Sequence, residues 1–156
     1  MGVSTIKECS RDDSNEFYLV ESEKEVLNFD DVCEFFAKEI GVNKPSSVDS
    51  IYFQDNKLCL VEFKNTDYPK PEEIRTKIHD TLAMLRLRGY ISDNDYKLIK
   101  VISVKKFKGT ALKERHHLRN AGLPIKLKSG LDFLQKVYPA IEFFEMNPED
   151  YKESIA

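Results

Sequence analysis

Apolar residues recur along this chain with two spacings, one close to every second residue and one close to every third or fourth, and the alternation between them sets out the elements. Residues 1–15 are polar and aperiodic and read as a flexible leader. The run Phe17-Tyr18-Leu19-Val20 then reads as a strand. Asn28 and Asp31 open a helix over about 30–40, in which Val32, Phe35, Phe36 and Ile40 fall on one face before Gly41 stops the pattern. Residues 48–54 and 58–64 are two strands joined by the turn formers Asp55 and Asn56. Pro69 and Pro71 precede a long helix, Glu72 to about Arg88, with a stripe of Ile74, Ile78, Leu82 and Leu85 and a stop at Gly89.

A strand over 98–104 follows the turn-like Ser92 to Asp95. Beyond Gly109 the pattern predicts a helix over 111–120, an extended stretch over 123–127 and a short helix over 131–137, with a polar, frayed tail from Pro148. Repeats and low-complexity tracts are absent. The order helix, hairpin, helix, strand predicts an α/β fold, a mixed central sheet flanked by helices, with one domain over 16–147 between the leader and a tail at 148–156.

Composition narrows the class. With 156 residues, 41% hydrophobic and 33% charged, the chain suits one globular domain. Its strictly apolar runs, such as Leu58 to Val61, are far short of the roughly 20 residues that span a bilayer. Neither a secretory h-region nor a myristoylation signal is present, Ile6 standing where the latter needs Ser or Thr, so the expectation is a cytoplasmic protein without a membrane partner. Cys9, Cys33 and Cys59 fit neither a disulfide framework nor a zinc site and read as buried, idle thiols.

Charge is segregated. The net charge is −3, yet residues 97–128 hold ten Lys or Arg against one acidic residue, a local +9. Such a segment suits a polyanionic partner. Lys105, Lys106 and Lys108 lie just past a strand, and Lys113, Arg115, His116 and Arg119 follow on the predicted helix, so these seven are the candidate nucleic-acid contacts. The alternative for them is a solvated helix face and an edge strand guarded by lysines. Arg75, Lys77, Arg86 and Arg88 read as ordinary surface charge, and His79 as structural or exposed.

The hairpin carries the candidate chemistry. A two-residue turn at Asp55-Asn56 pairs 54 with 57 and therefore sets Asp49 opposite Glu62, with Lys64 on the same face two residues on. That face is otherwise apolar, with Ile51, Phe53, Leu58 and Leu60. Two opposed carboxylates repel unless something positive lies between them, and hard oxygen donors suit Mg²⁺ or Mn²⁺. An ammonium beside such an ion is equipment for phosphodiester hydrolysis.

Asp49, twelve intervening residues, and Glu62-Phe63-Lys64 after the apolar run Leu58 to Val61 resemble the Asp…(Asp/Glu)-x-Lys signature of the PD-(D/E)XK nuclease superfamily over about residues 30–104. The resemblance implies a restriction-endonuclease-like core, with Asp49 and Glu62 as metal ligands, the Phe63 carbonyl as a further one and Lys64 as the catalytic lysine. It also implies an acid on the preceding helix. Glu39 falls among Val32, Phe35, Phe36 and Ile40 on the helical wheel, Glu34 opposite, so Glu39 is the candidate. Val48 stands where the family's Pro does, and the strand expected before Asp49 is either minimal within 41–47 or supplied by Phe17 to Val20. The expected function is a Mg²⁺- or Mn²⁺-dependent nuclease acting on DNA, as a homodimer if it cuts both strands. The alternative is a non-catalytic nucleic-acid or protein-binding module on the same fold.

Overall fold

The computed structural model describes residues 2–12, 17–64, 71–106, 113, 117, 120–122 and 131–156. Its described strands form a mixed six-stranded sheet: β1 (Val3–Thr5), β4 (Glu25–Asn28), β5 (Ser50–Gln54), β6 (Lys57–Lys64), β7 (Ile99–Lys105) and β8 (Glu142–Met146), in that spatial order. Pairs β1/β4, β4/β5 and β5/β6 are antiparallel, while β6/β7 and β7/β8 are parallel. Two further strands, β2 (Arg11–Asp12) and β3 (Phe17–Tyr18), make a separate antiparallel ribbon. The helices are α1 (Ile6–Cys9), α2 (Phe29–Ile40), α3 (Pro71–Leu87), α4 (Leu131–Val137) and α5 (Pro148–Ser154), and a 3₁₀ turn spans Asp93–Leu98. None of the helices among the described residues is long and apolar enough to cross a membrane.

Both faces of the sheet are covered, which is why the β6 sequence is a continuous apolar run rather than an alternation. On one face Ile51, Leu60, Val101 and Phe143 pack with Phe29, Cys33, Ile74, Ile78, Leu82, Leu131 and Leu134 from α2, α3 and α4. On the other, Tyr52, Cys59, Val61, Phe63, Ile102 and Val104 pack with Ile6 and Tyr151. Each such side chain contributes roughly 1.5–3 kcal/mol by leaving water.

Local signals fix the helices and the turn. The Asn28 side chain accepts from the Asp31 amide and caps α2 at its start, and Gly41 closes it with φ of 72°, a left-handed conformation that glycine adopts without strain. Asp55 and Asn56 both take positive φ, 54° and 63°, giving the two-residue turn whose twist matches its strands. The hairpin register follows as the sequence predicts, with Ser50 opposite Val61 and Gln54 opposite Lys57. Phe53 departs from the expected core row: it is 76% exposed, because it sits at the turn end of the hairpin, past the cover of the helices.

Other expectations are corrected. The leader is part of the fold: β1 pairs with β4, and Ile6 is fully buried. Phe17–Tyr18 is strand, but in the small ribbon, and Leu19 and Val20 leave the strand to fill the second core. The strand beside β5 is Glu25–Asn28, which precedes α2 instead of following it. The polar tail is the helix α5, anchored by a fully buried Tyr151 whose hydroxyl lies 2.7 Å from that of Tyr52. Strand β8 makes β7 an inner strand, so its lysines guard no edge. Of the segments predicted over 111–120 and 123–127, only Lys113, His117 and Asn120 are described, each helical.

Candidate functional site

The site is assembled where the parallel strands β6 and β7 end, the edge of an α/β sheet at which ligands characteristically bind. Asp49 immediately precedes β5. Its amide donates to the Val61 carbonyl at 3.1 Å, although Val61 is already the register partner of Ser50. Two residues thus oppose one, and this bulge re-aims the Asp49 side chain out of the regular rung. Asp49 consequently does not face Glu62 in simple register; its Oδ2 accepts the Phe63 amide at 2.7 Å. The loop before it is pinned by α3: Thr81 Oγ1 accepts from the Val48 amide at 3.0 Å, and Asp80 accepts from the Ser46 amide at 3.2 Å.

Glu62 is 2% exposed. Its Oε1 accepts from Lys77 Nζ at 2.6 Å and lies 3.6 Å from Lys64 Nζ, while its Oε2 is buried without a hydrogen-bond partner. The Lys64 side chain, 18% exposed, donates to Glu73 Oε1 at 2.5 Å, in the first turn of α3. In register with Glu62 stands Ser103, whose buried hydroxyl also lacks a partner, and beyond it Glu145. Buried polar atoms without partners are rare in folded proteins, so two at neighbouring register positions mark a place built for more than packing.

The electrostatics follow from burial. Burial pushes the Asp49 carboxyl well above its ordinary 3.8, the Glu62 charge pushes it further, and the Phe63 amide and Lys77 offset part of this. Burial raises Glu62 above 4.5 against the opposing pull of Lys77 and Lys64. For Lys77, burial acts downward, but the charge and hydrogen bond of Glu62, with Asp49 behind it, prevail and raise it. The two carboxylates therefore hold too little positive charge for their surroundings.

Asp49 also lines a polar cavity of ≈ 350 Å³ with Glu8, Cys9, Arg11, Asn28 and Asp30. Asp30, in the first turn of α2, accepts from Ser47 Oγ at 2.5 Å and Lys44 Nζ at 3.2 Å. It, and not Glu39, is the α2 acid that reaches the site. Glu39 pairs with Arg88 at 2.5 Å, and Arg88 in turn lies over the Phe36 ring. Arg88 follows Lys77 by about 16 Å of helical rise, which separates Glu39 from the carboxylate pair. The buried face of α2 is Phe29, Cys33, Phe36 and Ala37, and Glu39 stands exposed at its margin, not among the apolar residues as the wheel predicts.

Glu62, Phe63 and Lys64 follow along β6, Asp49 reaches them through the Phe63 amide rather than from the rung opposite Glu62 that the hairpin count predicts, and Lys77 joins them. Reading Lys77 as surface charge missed it. At roughly 100° per residue it falls between Thr81 and Met84, both buried, so the wheel itself holds the signal. Among the basic candidates, Lys105 is buried and paired with Glu145 at 3.5 Å, which withdraws it from the solvent-facing role expected of a phosphate contact. Lys106 lies over the Phe17 ring at 4.0 Å, and Lys113 is exposed. Lys108, Arg115, His116 and Arg119 lie outside the described residues. Among the described residues no three His, Cys, Asp or Glu side chains are gathered as a metal-binding group. The donors present at the site are the two carboxylates, with hard oxygens that suit Mg²⁺ or Mn²⁺. Comparison of the chain with protein-family models, curated proteins and solved structures finds no match.

Proposed function

We propose that this protein is a metal-dependent nuclease of the PD-(D/E)XK kind, on a restriction-endonuclease-like core, hydrolysing phosphodiester bonds in DNA. The observation that carries the reading is Glu62: a buried carboxylate beside Asp49 and 3.6 Å from Lys64, with one oxygen left open. Asp49 and Glu62, with the Phe63 carbonyl, are the residues that would hold Mg²⁺ or Mn²⁺, and an ion there would supply Lewis-acid polarisation of a phosphoryl oxygen. The chain's own groups do the rest. The bulge and the Phe63 amide fix the Asp49 carboxylate, so that no reorganisation is needed when substrate arrives. Lys64, steadied by Glu73, presents an ammonium where negative charge grows on the phosphoryl group during in-line attack by water. The basic segment over 97–128, net +9, supplies sequence-independent attraction for the phosphate backbone.

A second reading, a non-catalytic nucleic-acid-binding module, draws on the fact that Lys77 already neutralises Glu62 at 2.6 Å. One assay separates the two. Labelled single- and double-stranded DNA and RNA are incubated with the protein in Mg²⁺ and in Mn²⁺, beside Lys64→Ala. The expected outcome is metal-dependent cleavage of DNA that falls at least about a hundredfold in Lys64→Ala. Binding without cleavage in either metal favours the module.

A further inference from the structure

We infer that Lys77 is the resident counter-cation of the Asp49–Glu62 pair, a positioning residue that holds Glu62 by one oxygen and limits how tightly the pair takes a divalent ion. The inference rests on reading those carboxylates as metal ligands and goes beyond it, since nothing in the Asp…Glu-x-Lys pattern assigns a role to a lysine on the following helix.

Two ammonium groups lie near Glu62, and they are differently engaged. Lys64 is 3.6 Å away and hydrogen-bonds to Glu73, whereas Lys77 donates directly to Oε1 at 2.6 Å. Lys77 comes from the middle of α3, from the helix face that carries the buried Ile74, Ile78 and Thr81, and its side chain is 22% exposed. It therefore reaches Glu62 through packed surroundings, from a rigid element, and is fixed there. Its grip on Oε1 leaves Oε2 as the buried oxygen without a partner. One oxygen is held by the chain and the other, buried, has no hydrogen-bond partner.

This arrangement has two opposite effects. Without an ion, a single positive charge at hydrogen-bond distance offsets part of the cost of holding two carboxylates away from water. With an ion, the same charge repels it at close range in surroundings that screen poorly. Lys77 thus makes the empty site tolerable at the expense of affinity. A residue that merely supported the structure would, when removed, loosen the site and weaken ion binding. A counter-cation predicts the reverse sign.

The test uses Mn²⁺ alone as probe, with the full chain, and no substrate. Titration calorimetry and thermal melts with and without Mn²⁺ are run on wild type, Lys77→Met, Lys77→Arg and Asp49→Asn. Lys77→Met is expected to melt lower than wild type without Mn²⁺, to bind the ion on the order of tenfold more tightly, and to gain more in melting temperature when it is added. Lys77→Arg, which keeps the charge, is expected to match wild type, and Asp49→Asn to lose the binding. Mn²⁺ bound by wild type and lost in Asp49→Asn, but bound equally or more weakly by Lys77→Met, overturns the counter-cation and leaves the metal pair standing. A flat titration in wild type and in Lys77→Met overturns both the counter-cation and the metal ligands. Should Lys77→Met fail to fold, Lys77→Gln, which removes the charge and keeps a donor, carries the same comparison.

Discussion

Exchanging Asp49 for Asn separates the shape of that side chain from its charge, because the amide oxygen still accepts from the Phe63 amide. Asp49 has its pKa raised in the folded protein, from 3.8, first by burial and then by Glu62. A carboxyl so raised binds its proton more tightly folded than unfolded. Its effect on stability is therefore nil below the unfolded value and becomes progressively unfavourable as pH climbs through the folded one. In the absence of metal, Asp49→Asn should melt roughly 3 °C higher than wild type at pH 8 and indistinguishably from it near pH 4. Melting curves across that range in chelator check this, and a constant difference at every pH would show that the carboxylate is not the group responsible. Glu62 and Lys77 explain why only part of this site could be read in advance. The hairpin turn fixes register, so Glu62 and Lys64 follow from counting residues. The partner of Glu62 comes from a helix whose rotation about its own axis is settled by packing, and a lysine on the buried arc is easily taken for a solvated one. The bulge at Asp49 was invisible for a similar reason, since it arises from hydrogen bonds to Val61 and Phe29 and not from a local residue preference.

Helices α2 and α3 carry their boundaries in their own residues, Asn28 and Gly41 for one and Pro71 for the other. The terminal helices have caps as well, Thr5 for α1 and Asn147 with Pro148 for α5, but too few residues to show a period. β1, α1 and α5 are short and polar, and each depends on one or two anchors, Ile6 and Tyr151, that give no periodicity to detect. Strand β4 is four residues long, and β8 alternates the buried Phe143 and Glu145 with half-buried neighbours, which disguises it. Tyr151 is the sharper test of how independent these pieces are of the site. Its ring stands edge-on to Phe63 at 5.7 Å, and its hydroxyl meets that of Tyr52, all on the sheet face away from α2 and α3. Tyr151→Ala should cost about 3–5 kcal/mol, read from denaturant melts. Below its melting transition the variant should bind Mn²⁺ as wild type does. A loss of metal affinity out of proportion to stability would mean that the second core positions Phe63, and through its amide Asp49.

Across the molecule as a whole, the charges are segregated along the chain, which on the proposed reading separates catalysis from binding. The acidic pair sits at the sheet end, and residues 97–128, which include β7, carry the excess of Lys and Arg in the sequence. Affinity for nucleic acid should therefore come from counterion release. Fluorescence anisotropy with a labelled duplex should show binding that weakens more than about a hundredfold between about 50 and 200 mM salt, independently of sequence. Binding indifferent to salt would remove the basic segment from the interface. Lys105 belongs to a different account, since its pairing with Glu145 takes place inside the fold.

The half-buried Asp49 and the buried Glu62 also bear on how such a chain changes over generations. Asp49 and Glu62 together make the unliganded fold less stable than neutral residues of the same shape would, and the open Glu62 oxygen adds to that deficit. Most random substitutions damage a protein's stability. Neutralising Asp49 would instead relieve that cost, whereas neutralising Glu62 would leave Lys77 without its partner. On the proposed reading, a chain released from selection for cleavage would lose the Asp49 charge with a gain in stability.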